Sequence, residues 1–587
     1  MLKRFLEYTK GYRILTIICP IMIYLDVVVE LKIPKVMGQV TDILISIKSG
    51  SPMDDITRQL MGKLLEMLLL CAGTLIIGYI ASRCSAIASM GFGANLRREL
   101  FYKIQSLSFE NIDKLKISTL ITRMTSDVTM IQNTYKNTIV TFIKGPIMLV
   151  TALMYAIEIS KELSSMFYVA LPAIVIILII MGYMAVPAFK KMLKTTDRFN
   201  GVLRGNINGI RVVKSFVRED HEKEKFEKVN NEVLQMNIRA QSLVLYITPA
   251  IMVVVYGCMV FALWKGSSLI LEGKSGLTTG EMSTFIAFIS QVLSSLMTVL
   301  LVFVSMFVSK ASIERLGEIF KQEPAVSDKD ADKELKVENG SIEFKNVTFK
   351  YDDSVVKNIL ENVNLKINAG ETVGIIGSTG SAKSTLIQLI PRLYDTTEGE
   401  VLVGGRNVKD YTFKNLRGEI SVVLQQNMLF SGTIMENIRW GRPDASDEEV
   451  YAAAADAQAH EFISEFEKGY DTELGQGGST VSGGQRQRIC IARALLKKPK
   501  ILIFDDSTSA VDTATDAGIK KALRSEKYKD ITKIIIAQRI TSIMDADRII
   551  VIEDGKIEAT GTHDELKETS EVYREIFVSQ QEGVLAQ

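Results

Sequence analysis

The sequence predicts an α-helical membrane domain followed by an α/β domain, and three observations support this division. Long apolar segments fill the first half of the 587-residue chain, whereas the second half alternates short apolar runs with helical patterns. A polar stretch, KQEPAVSDKDADKELKVENG, separates the halves and has the composition of a linker. The length also exceeds that of one domain. We therefore expect a membrane domain at 1–320, a linker at 321–340 and a second domain at 341–587.

Six apolar segments in the first domain are each long enough to cross a bilayer, which takes about 20 residues. The long polar stretches that follow the second and the fourth segment carry clusters of Lys and Arg. Because positive charge favours the cytoplasmic side, we expect a multi-pass protein of the cell membrane with both termini and the second domain in the cytoplasm. The six segments lie near 14–36, 64–90, 138–158, 164–187, 243–264 and 283–308.

Charge and cysteine content exclude several classes of function. The 69 Lys and Arg residues are balanced by 68 Asp and Glu residues, so the composition gives no reason to expect a nucleic-acid partner. The five cysteines are scattered without a CxxC pair, which argues against a disulfide framework and against a zinc site. The three histidines match no metal-binding motif.

Beyond the linker, short apolar runs have the length and composition of β-strands. These runs are SIEFKNVTF, ETVGIIG, EISVVL, ILIFDD, KIIIAQ and RIIVIED. Helical patterns separate them, and this alternation predicts an α/β domain with a largely parallel sheet.

The run ETVGIIG overlaps the glycine-rich segment GSTGSAKST, which opens a helical pattern. This is the strand–loop–helix context of a phosphate-binding loop, in which Lys383 reaches the β- and γ-phosphates and Ser384 is a ligand of Mg²⁺. Ala382 stands where the motif has Gly, and we expect it to keep the loop if its φ is negative. An ordinary glycine turn is the alternative. The predicted phosphate-site residues are Gly377, Ser378, Thr379, Gly380, Ser381, Ala382, Lys383, Ser384 and Thr385.

Two later elements support a nucleotide site. The run ILIFD ends at Asp505, where a carboxylate is expected to hold Mg²⁺. The segment VSGGQ opens a helix, so the Ser482 hydroxyl, the N–H groups of Gly483 and Gly484 and the helix dipole can bind a γ-phosphate. Gln485 completes this element.

In order along the chain, GSTGSAKST, VSGGQRQR and ILIFDD resemble the motifs of ATP-binding cassette (ABC) exporters. The resemblance is to a half-transporter of the type IV, multidrug-exporter kind, and it covers residues 1–580. It implies an α/β P-loop nucleotide-binding domain of the ABC type that binds ATP and Mg²⁺. It also implies a head-to-tail dimer in which each ATP lies between the P-loop of one chain and the SGGQ element of the other.

The resemblance implies roles for further residues. Tyr351 corresponds to the aromatic residue that stacks on adenine. Gln425 corresponds to the Q-loop glutamine, which contacts Mg²⁺ and senses the membrane domain, and Asp512 lies in the D-loop segment SAVD. The LSF segment at 107–109 and the stretch 205–220 resemble the first and second coupling regions.

Two residues depart from the family pattern at catalytic positions. Asp506 stands where a Glu acts as general base; its carboxylate is one methylene shorter, and a misplacement of about 1 Å can cost roughly 10²-fold in rate. Gln538 stands where a His is usual and cannot carry a proton. We therefore expect a heterodimer in which this chain's P-loop side is a degenerate, slowly hydrolysing site, while its SGGQ element completes the competent site of a second, homologous half-transporter. A slow but competent homodimer is the alternative.

Charged residues in the membrane domain give a candidate substrate site. Asp26 and Glu30 share one face of the first helix at i, i+4 spacing, and charges in a bilayer are costly. They are candidates for binding cationic compounds; an internal pair with Arg83, or positions at the level of the lipid headgroups, are the alternatives. Residues of the sixth segment are expected either to line a cavity or to pack against other helices: Phe303, Met306 and Phe307.

The leading hypothesis is an exporter of small amphipathic or drug-like compounds, embedded in membrane lipid and driven by ATP hydrolysis. A lipid flippase or a peptide-exporter half is an alternative of the same class. An ATP-sensing regulatory subunit that gates a partner is the alternative from another class, although the intact SGGQ element and Gln425 argue against it.

Overall fold

The computed structural model describes residues 7–47, 53–272, 276–351, 357–506 and 512–585. The chain divides into two compact units. Met1–Lys103 and Ser118–Lys321 form the first, and Ile104–Ile117 and Gln322–Gln587 form the second. A short segment from the first half of the sequence therefore belongs to the unit that contains the predicted cassette.

The first half of the chain folds into long helices, with a π-helical turn at Arg123–Asp127. Among the described residues, six spans are long and apolar enough to cross a membrane, which confirms the predicted six-helix membrane domain. The helices are α1 (Arg13–Glu30), α2 (Lys32–Ser46), α3 (Met53–Gln105), α4 (Phe109–Leu115), α5 (Ile117–Thr122), α6 (Val128–Ile159), α7 (Lys161–Ser164), α8 (Phe167–Asn208), α9 (Ile210–Ser215), α10 (Glu219–Glu272) and α11 (Thr279–Lys321).

Helix α3 shows how far these helices extend beyond the apolar segments. It has 53 residues, which at 1.5 Å per residue is about 80 Å. The hydrocarbon core of a bilayer is only about 30 Å thick. The predicted segment at 64–90 is therefore the central part of a longer helix, and large apolar side chains such as Leu75 lie exposed along it, as expected for a surface that lipid covers.

Two sheets form the core of the second unit. The described strands are β1 (Ile342–Phe349), β2 (Leu360–Ile367), β3 (Thr372–Ile376), β4 (Glu398–Val403), β5 (Arg406–Asn407), β6 (Ile420–Val423), β7 (Gly432–Thr433), β8 (Glu473–Leu474), β9 (Ile501–Asp505), β10 (Thr532–Ile536), β11 (Arg548–Glu553) and β12 (Lys556–Gly561). The larger sheet has the order β12-β11-β3-β10-β9-β6, and the smaller, antiparallel sheet has the order β2-β1-β4-β5. All six predicted runs are strands; the first lies in the antiparallel sheet, which the sequence pattern did not predict.

Helices cover the larger sheet and complete the α/β domain. They are α12 (Lys383–Leu389), α13 (Phe413–Gly418), α14 (Ile434–Arg439), α15 (Asp447–Asp456), α16 (His460–Glu465), α17 (Gly483–Leu496), α18 (Thr513–Leu523), α19 (His563–Thr569) and α20 (Glu571–Leu585). Their apolar faces, together with buried strand residues such as Ile503 and Ile534, form the core. The predicted α/β domain is therefore confirmed.

The register of the larger sheet brings three loops together. Ile536, the last residue of β10, pairs with Ile375 in β3 and with Asp505 in β9. Because these strands are parallel, the loops that follow them emerge at one edge of the sheet, where α/β domains bind ligands. Those loops carry the GSTGSAKST segment, Asp506 and Gln538.

Candidate nucleotide site

The phosphate-binding loop between β3 and α12 depends on special backbone conformations. A Cβ atom at Gly377 would lie 1.9 Å from the Ile552 carbonyl oxygen, so only Gly fits there. Ala382, immediately before α12, has φ +75°. The condition stated for Ala382, a negative φ, is therefore not met: the chain turns into α12 through the left-handed region, which costs a non-glycine residue about 1–2 kcal/mol.

The Lys383 side chain lies within this loop. Its Nζ donates hydrogen bonds to the carbonyl oxygens of Gly377 at 2.9 Å and Ser378 at 2.7 Å. Burial lowers the pKa of Lys383, and the nearby carboxylates, led by Glu553, oppose this shift. The ammonium group is thus held at the helix N-terminus where a phosphate would bind.

Glu553, at the end of β11, was not predicted from the sequence. Its carboxylate accepts hydrogen bonds from Ser378 Oγ at 3.0 Å and from the Ser378 N–H at 3.4 Å. A carboxylate therefore accepts hydrogen bonds from two donors of the loop.

Two of the three predicted magnesium ligands, Ser384 and Asp505, contact each other. Ser384 Oγ donates a hydrogen bond of 2.9 Å to Asp505 Oδ1. Asp505 is buried at the end of β9; burial raises its pKa, and the hydrogen bond from Ser384 acts against this. A hydroxyl and a carboxylate side by side are suitable ligands for Mg²⁺, so these two residues fit the ion that accompanies ATP.

Three polar residues meet beside this pair. Gln538 Nε2 donates to Asp506 Oδ2 at 2.7 Å, and Gln425 Nε2 donates to the same oxygen at 3.4 Å. Asp506 has φ +47°, and its N–H donates to the Ile536 carbonyl oxygen at the end of β10. The structure therefore brings together the predicted Q-loop, base and switch positions, with the Gln425 amide directed at Asp506.

The SGGQ element forms the N-terminus of α17. Ser482 Oγ accepts the N–H of Gln485 at 3.3 Å, and Gln485 Oε1 accepts the N–H of Ser482 at 3.0 Å. This reciprocal capping box fixes the first turn. Ser482 and Gly483 lie exposed, so the positive end of a 14-residue helix faces outward.

The predicted D-loop is only partly described. Residues 507–511 lie outside the described residues. Asp512 Oδ1 accepts the N–H of Thr515 at 2.9 Å and thereby caps α18. This side chain holds the start of the helix that follows the loop.

Comparison with known protein families agrees with this geometry. The family model described as "ABC transporter transmembrane region" matches residues 16–309, and the model described as "ABC transporter" matches residues 360–509. Together they cover the membrane helices, the phosphate-binding loop, and Asp505 and Asp506 at the end of β9. The chain belongs to the ABC transporter family.

Relatives of this ABC transporter match it over almost its whole length. The uncharacterized ABC transporter ATP-binding protein YfiB of Bacillus subtilis is 33% identical over 99% of this chain and 98% of the relative. The putative multidrug export ATP-binding/permease protein YgaD of the same organism is 32% identical over 99% of each chain. A bacterial Atm1-family ABC exporter, solved with ATP bound, has the same fold, with a TM-score of 0.82 and 24% identity over 97% of this chain and 98% of that one.

In this ABC transporter the predicted adenine-stacking residue joins a chain of aromatic contacts. Tyr351 Oη lies 3.0 Å from Thr385 Oγ1 in α12, and its ring packs edge-on against Tyr394 at 5.1 Å. Tyr394 Oη donates a hydrogen bond to Asp113 in α4, within the same compact unit. Helix α4 therefore contacts the predicted adenine-stacking residue Tyr351 through Tyr394. The contact with Asp113 was not predicted, because the residues are 281 positions apart.

The two acidic residues of α1 are ion-paired inside the membrane domain. Lys144 Nζ of α6 lies 2.9 Å from both Asp26 Oδ2 and Glu30 Oε2. The partner is Lys144 rather than Arg83, which was one of the alternatives from the sequence; Arg83 Nη1 donates instead to Tyr79 Oη. Both carboxylates thus share one lysine, and sequence spacing within α1 gave no signal for a partner on α6.

The predicted cavity residues of the sixth segment have different surroundings. Phe303 is half exposed and packs edge-on against Phe142 at 5.7 Å. Met306 is partly exposed, and the side chain of Phe307 lies outside the described part of the chain. Helix packing thus accounts for one face of Phe303.

Proposed function

We propose that this ABC transporter is one half of an ATP-driven exporter of amphipathic or drug-like compounds and works with a second, homologous half-transporter. The observation that carries the proposal is a contrast within one chain. On the P-loop side, Asp506 and Gln538 replace the family's Glu and His and contact each other at 2.7 Å. The SGGQ element, in contrast, keeps its full sequence at an exposed helix N-terminus.

The chemistry of this chain's own site favours binding over hydrolysis. Mg²⁺, when bound, neutralises charge on the transferred phosphoryl group. The Asp506 carboxylate is about 1 Å short of the position of a Glu base, and its Oδ2 accepts hydrogen bonds from Gln538 and Gln425. Since an amide cannot take up and release a proton as imidazole does, we propose that this site retains ATP and turns it over slowly.

The partner's site would receive the intact end of α17. The Ser482 hydroxyl, the first N–H groups of the helix and its dipole are suited to a γ-phosphate. The partner would supply its own P-loop, an acidic base and a histidine. We therefore propose that most hydrolysis takes place in that second site.

An exposed apolar groove beside the Q-loop supports assembly with a second half. It has a volume of about 450 Å³ and is lined in part by Leu424, Met428, Phe430 and Trp440. The Phe430 and Trp440 rings stack at 4.5 Å, and exposed apolar patches of this kind mark interaction sites. We propose that it binds the second coupling region of the partner, because the corresponding α9 region of this chain also exposes apolar side chains, including Phe216.

The name of YgaD, a putative multidrug export protein, supports drug-like substrates. The Lys and Arg clusters that follow the second and the fourth membrane segment support a cytoplasmic cassette and cytoplasmic termini. In that orientation the nucleotide site faces the ATP supply, and transport runs outward.

Two measurements test the proposal. In inverted membrane vesicles that contain this chain and its co-purified partner, ATP should drive uptake of a cationic amphipathic dye. ATP-dependent leakage without uptake would instead indicate a gating subunit. The chain purified alone should hydrolyse ATP at most about a tenth as fast as the complex, and an equal rate would refute the heterodimer.

A further inference from the structure

We propose that Gln580, on the C-terminal helix α20, is a positioning residue for the switch loop, the loop after β10 that carries Gln538. The Gln580 Oε1 atom accepts the N–H of Ile540 at 2.9 Å. Its Nε2 atom donates to the backbone carbonyl of Gln538 at 2.7 Å. One side-chain amide therefore brackets the loop on both sides of Arg539. The functional meaning of this contact rests on the proposed nucleotide site.

The switch loop needs such a partner because it lies beyond the sheet. Strand β10 ends at Ile536, and the next regular element is the 3₁₀ turn Ile540–Ser542. Backbone N–H and C=O groups between them must find hydrogen-bond partners outside the sheet. Gln580 supplies one acceptor and one donor, which a single side-chain amide can provide at the same time.

The bracketed backbone carries the side chain that contacts the proposed base. Gln538 Nε2 donates to Asp506 Oδ2 at 2.7 Å. A shift of the loop backbone would move this amide away from Asp506. Gln580 touches neither Asp506 nor the phosphate-binding loop through these bonds, so it acts through Gln538.

Helix α20 is held against the cassette by contacts other than Gln580. Tyr573 is fully buried, and its Oη lies 2.7 Å from His563 Nδ1 in α19. Phe577 packs against the His563 ring at 5.5 Å, and Lys567 lies over Phe577 at 4.7 Å. The helix is therefore expected to stay in place when the Gln580 amide is removed. Removal of the amide then tests only its two hydrogen bonds to the switch loop.

The test uses the full chain in detergent and three variants. Gln580→Met keeps the length of the side chain and removes both hydrogen bonds, whereas Gln580→Glu keeps the acceptor for Ile540 and loses the donor. Gln581→Met is the matched control, because this neighbouring side chain on the same helix is exposed. Hydrogen exchange is followed at the Ile540 amide and along α20, and kcat and KM for ATP are measured on the chain purified alone, where every site contains this switch loop.

We expect the Ile540 amide to exchange about fivefold faster or more in Gln580→Met, the factor for one typical hydrogen bond. Exchange along α20 should stay unchanged, and kcat should fall several-fold while KM for ATP is constant. Gln580→Glu should keep Ile540 protected, and Gln581→Met should match the unaltered chain. Unchanged exchange and kcat in Gln580→Met, or loss of protection throughout α20, would overturn the positioning role. Failure of the unaltered chain to bind a fluorescent ATP analogue would instead refute the proposed nucleotide site.

Discussion

Gln538 Nε2 donates a hydrogen bond of 2.7 Å to Asp506 Oδ2, so the residues at the predicted switch and base positions contact each other. Residues in one hydrogen-bonded network do not contribute independently. The effects of substitutions at Asp506 and Gln538 are therefore expected to be coupled, because each side chain contacts the other directly.

Restoring both residues should raise ATP turnover in the chain purified alone. We expect Asp506→Glu with Gln538→His to increase kcat by at least tenfold and up to about 10²-fold, because the carboxylate regains about 1 Å of reach. The increases in kcat of the two single variants, multiplied together, should be smaller than the increase in the double variant, because each single variant keeps one of the two unusual residues. An unchanged kcat in the double variant would mean that another feature limits the rate.

Ala382→Gly should stabilise the cassette. The φ of +75° at Ala382 costs an alanine about 1–2 kcal/mol, and glycine loses part of that gain through its unfolded-state entropy. We expect a net gain of about 0.5–1 kcal/mol in the free energy of unfolding, measured by thermal denaturation. Ala331→Gly is the control; Ala331 is not among the residues with positive φ, so there the same change should destabilise.

Tyr394→Phe should uncouple the membrane domain from ATP turnover. The change removes the hydrogen bond to Asp113 in α4 and leaves the ring against Tyr351. We expect substrate to stimulate the ATPase activity of the complex at most half as strongly, while basal activity stays the same. Tyr411→Phe is the control, because its Oη donates to the Val403 carbonyl inside the cassette; that variant should lose stability and keep the stimulation. Equal stimulation in Tyr394→Phe would refute the coupling role.

Lys144→Gln should destabilise the membrane domain more than Asp26→Asn. Removal of the lysine leaves Asp26 and Glu30 facing each other without a cation, whereas removal of one carboxylate keeps an ion pair. Thermal unfolding in detergent measures the order, and Lys144→Arg should retain most of the stability. A selective loss of cationic dye transport in Asp26→Asn, with neutral dyes unaffected, would instead assign the carboxylates to the substrate.

The sequence allowed prediction of features that depend on local pattern. Apolar length predicted six membrane helices, and strand-like runs predicted five strands of the larger sheet and one of the smaller. The P-loop was predicted from its strand–loop–helix context, and the base and switch positions were predicted from the resemblance to ABC exporters. The conformation of Ala382 was not predicted. Alanine intrinsically favours a negative φ, whereas the turn from β3 into α12 imposes a positive one.

Contacts between distant residues could not be predicted in the same way. Lys144 is 118 residues from Asp26, and Tyr394 is 281 residues from Asp113. A glutamine near the C-terminus carries no motif that would assign it to the switch loop. These partners follow from helix packing and chain topology, which one sequence does not specify residue by residue.

The asymmetry of the two ATP sites is the central claim, and paired variants of this chain in its co-purified complex test it most directly. Asp506→Asn alters the proposed base of this chain's own site, and Ser482→Arg blocks the SGGQ element that we propose serves the partner's site. We predict that Asp506→Asn lowers steady-state ATP turnover less than about twofold, whereas Ser482→Arg lowers it more than tenfold. Equal, large losses in both variants would contradict the account.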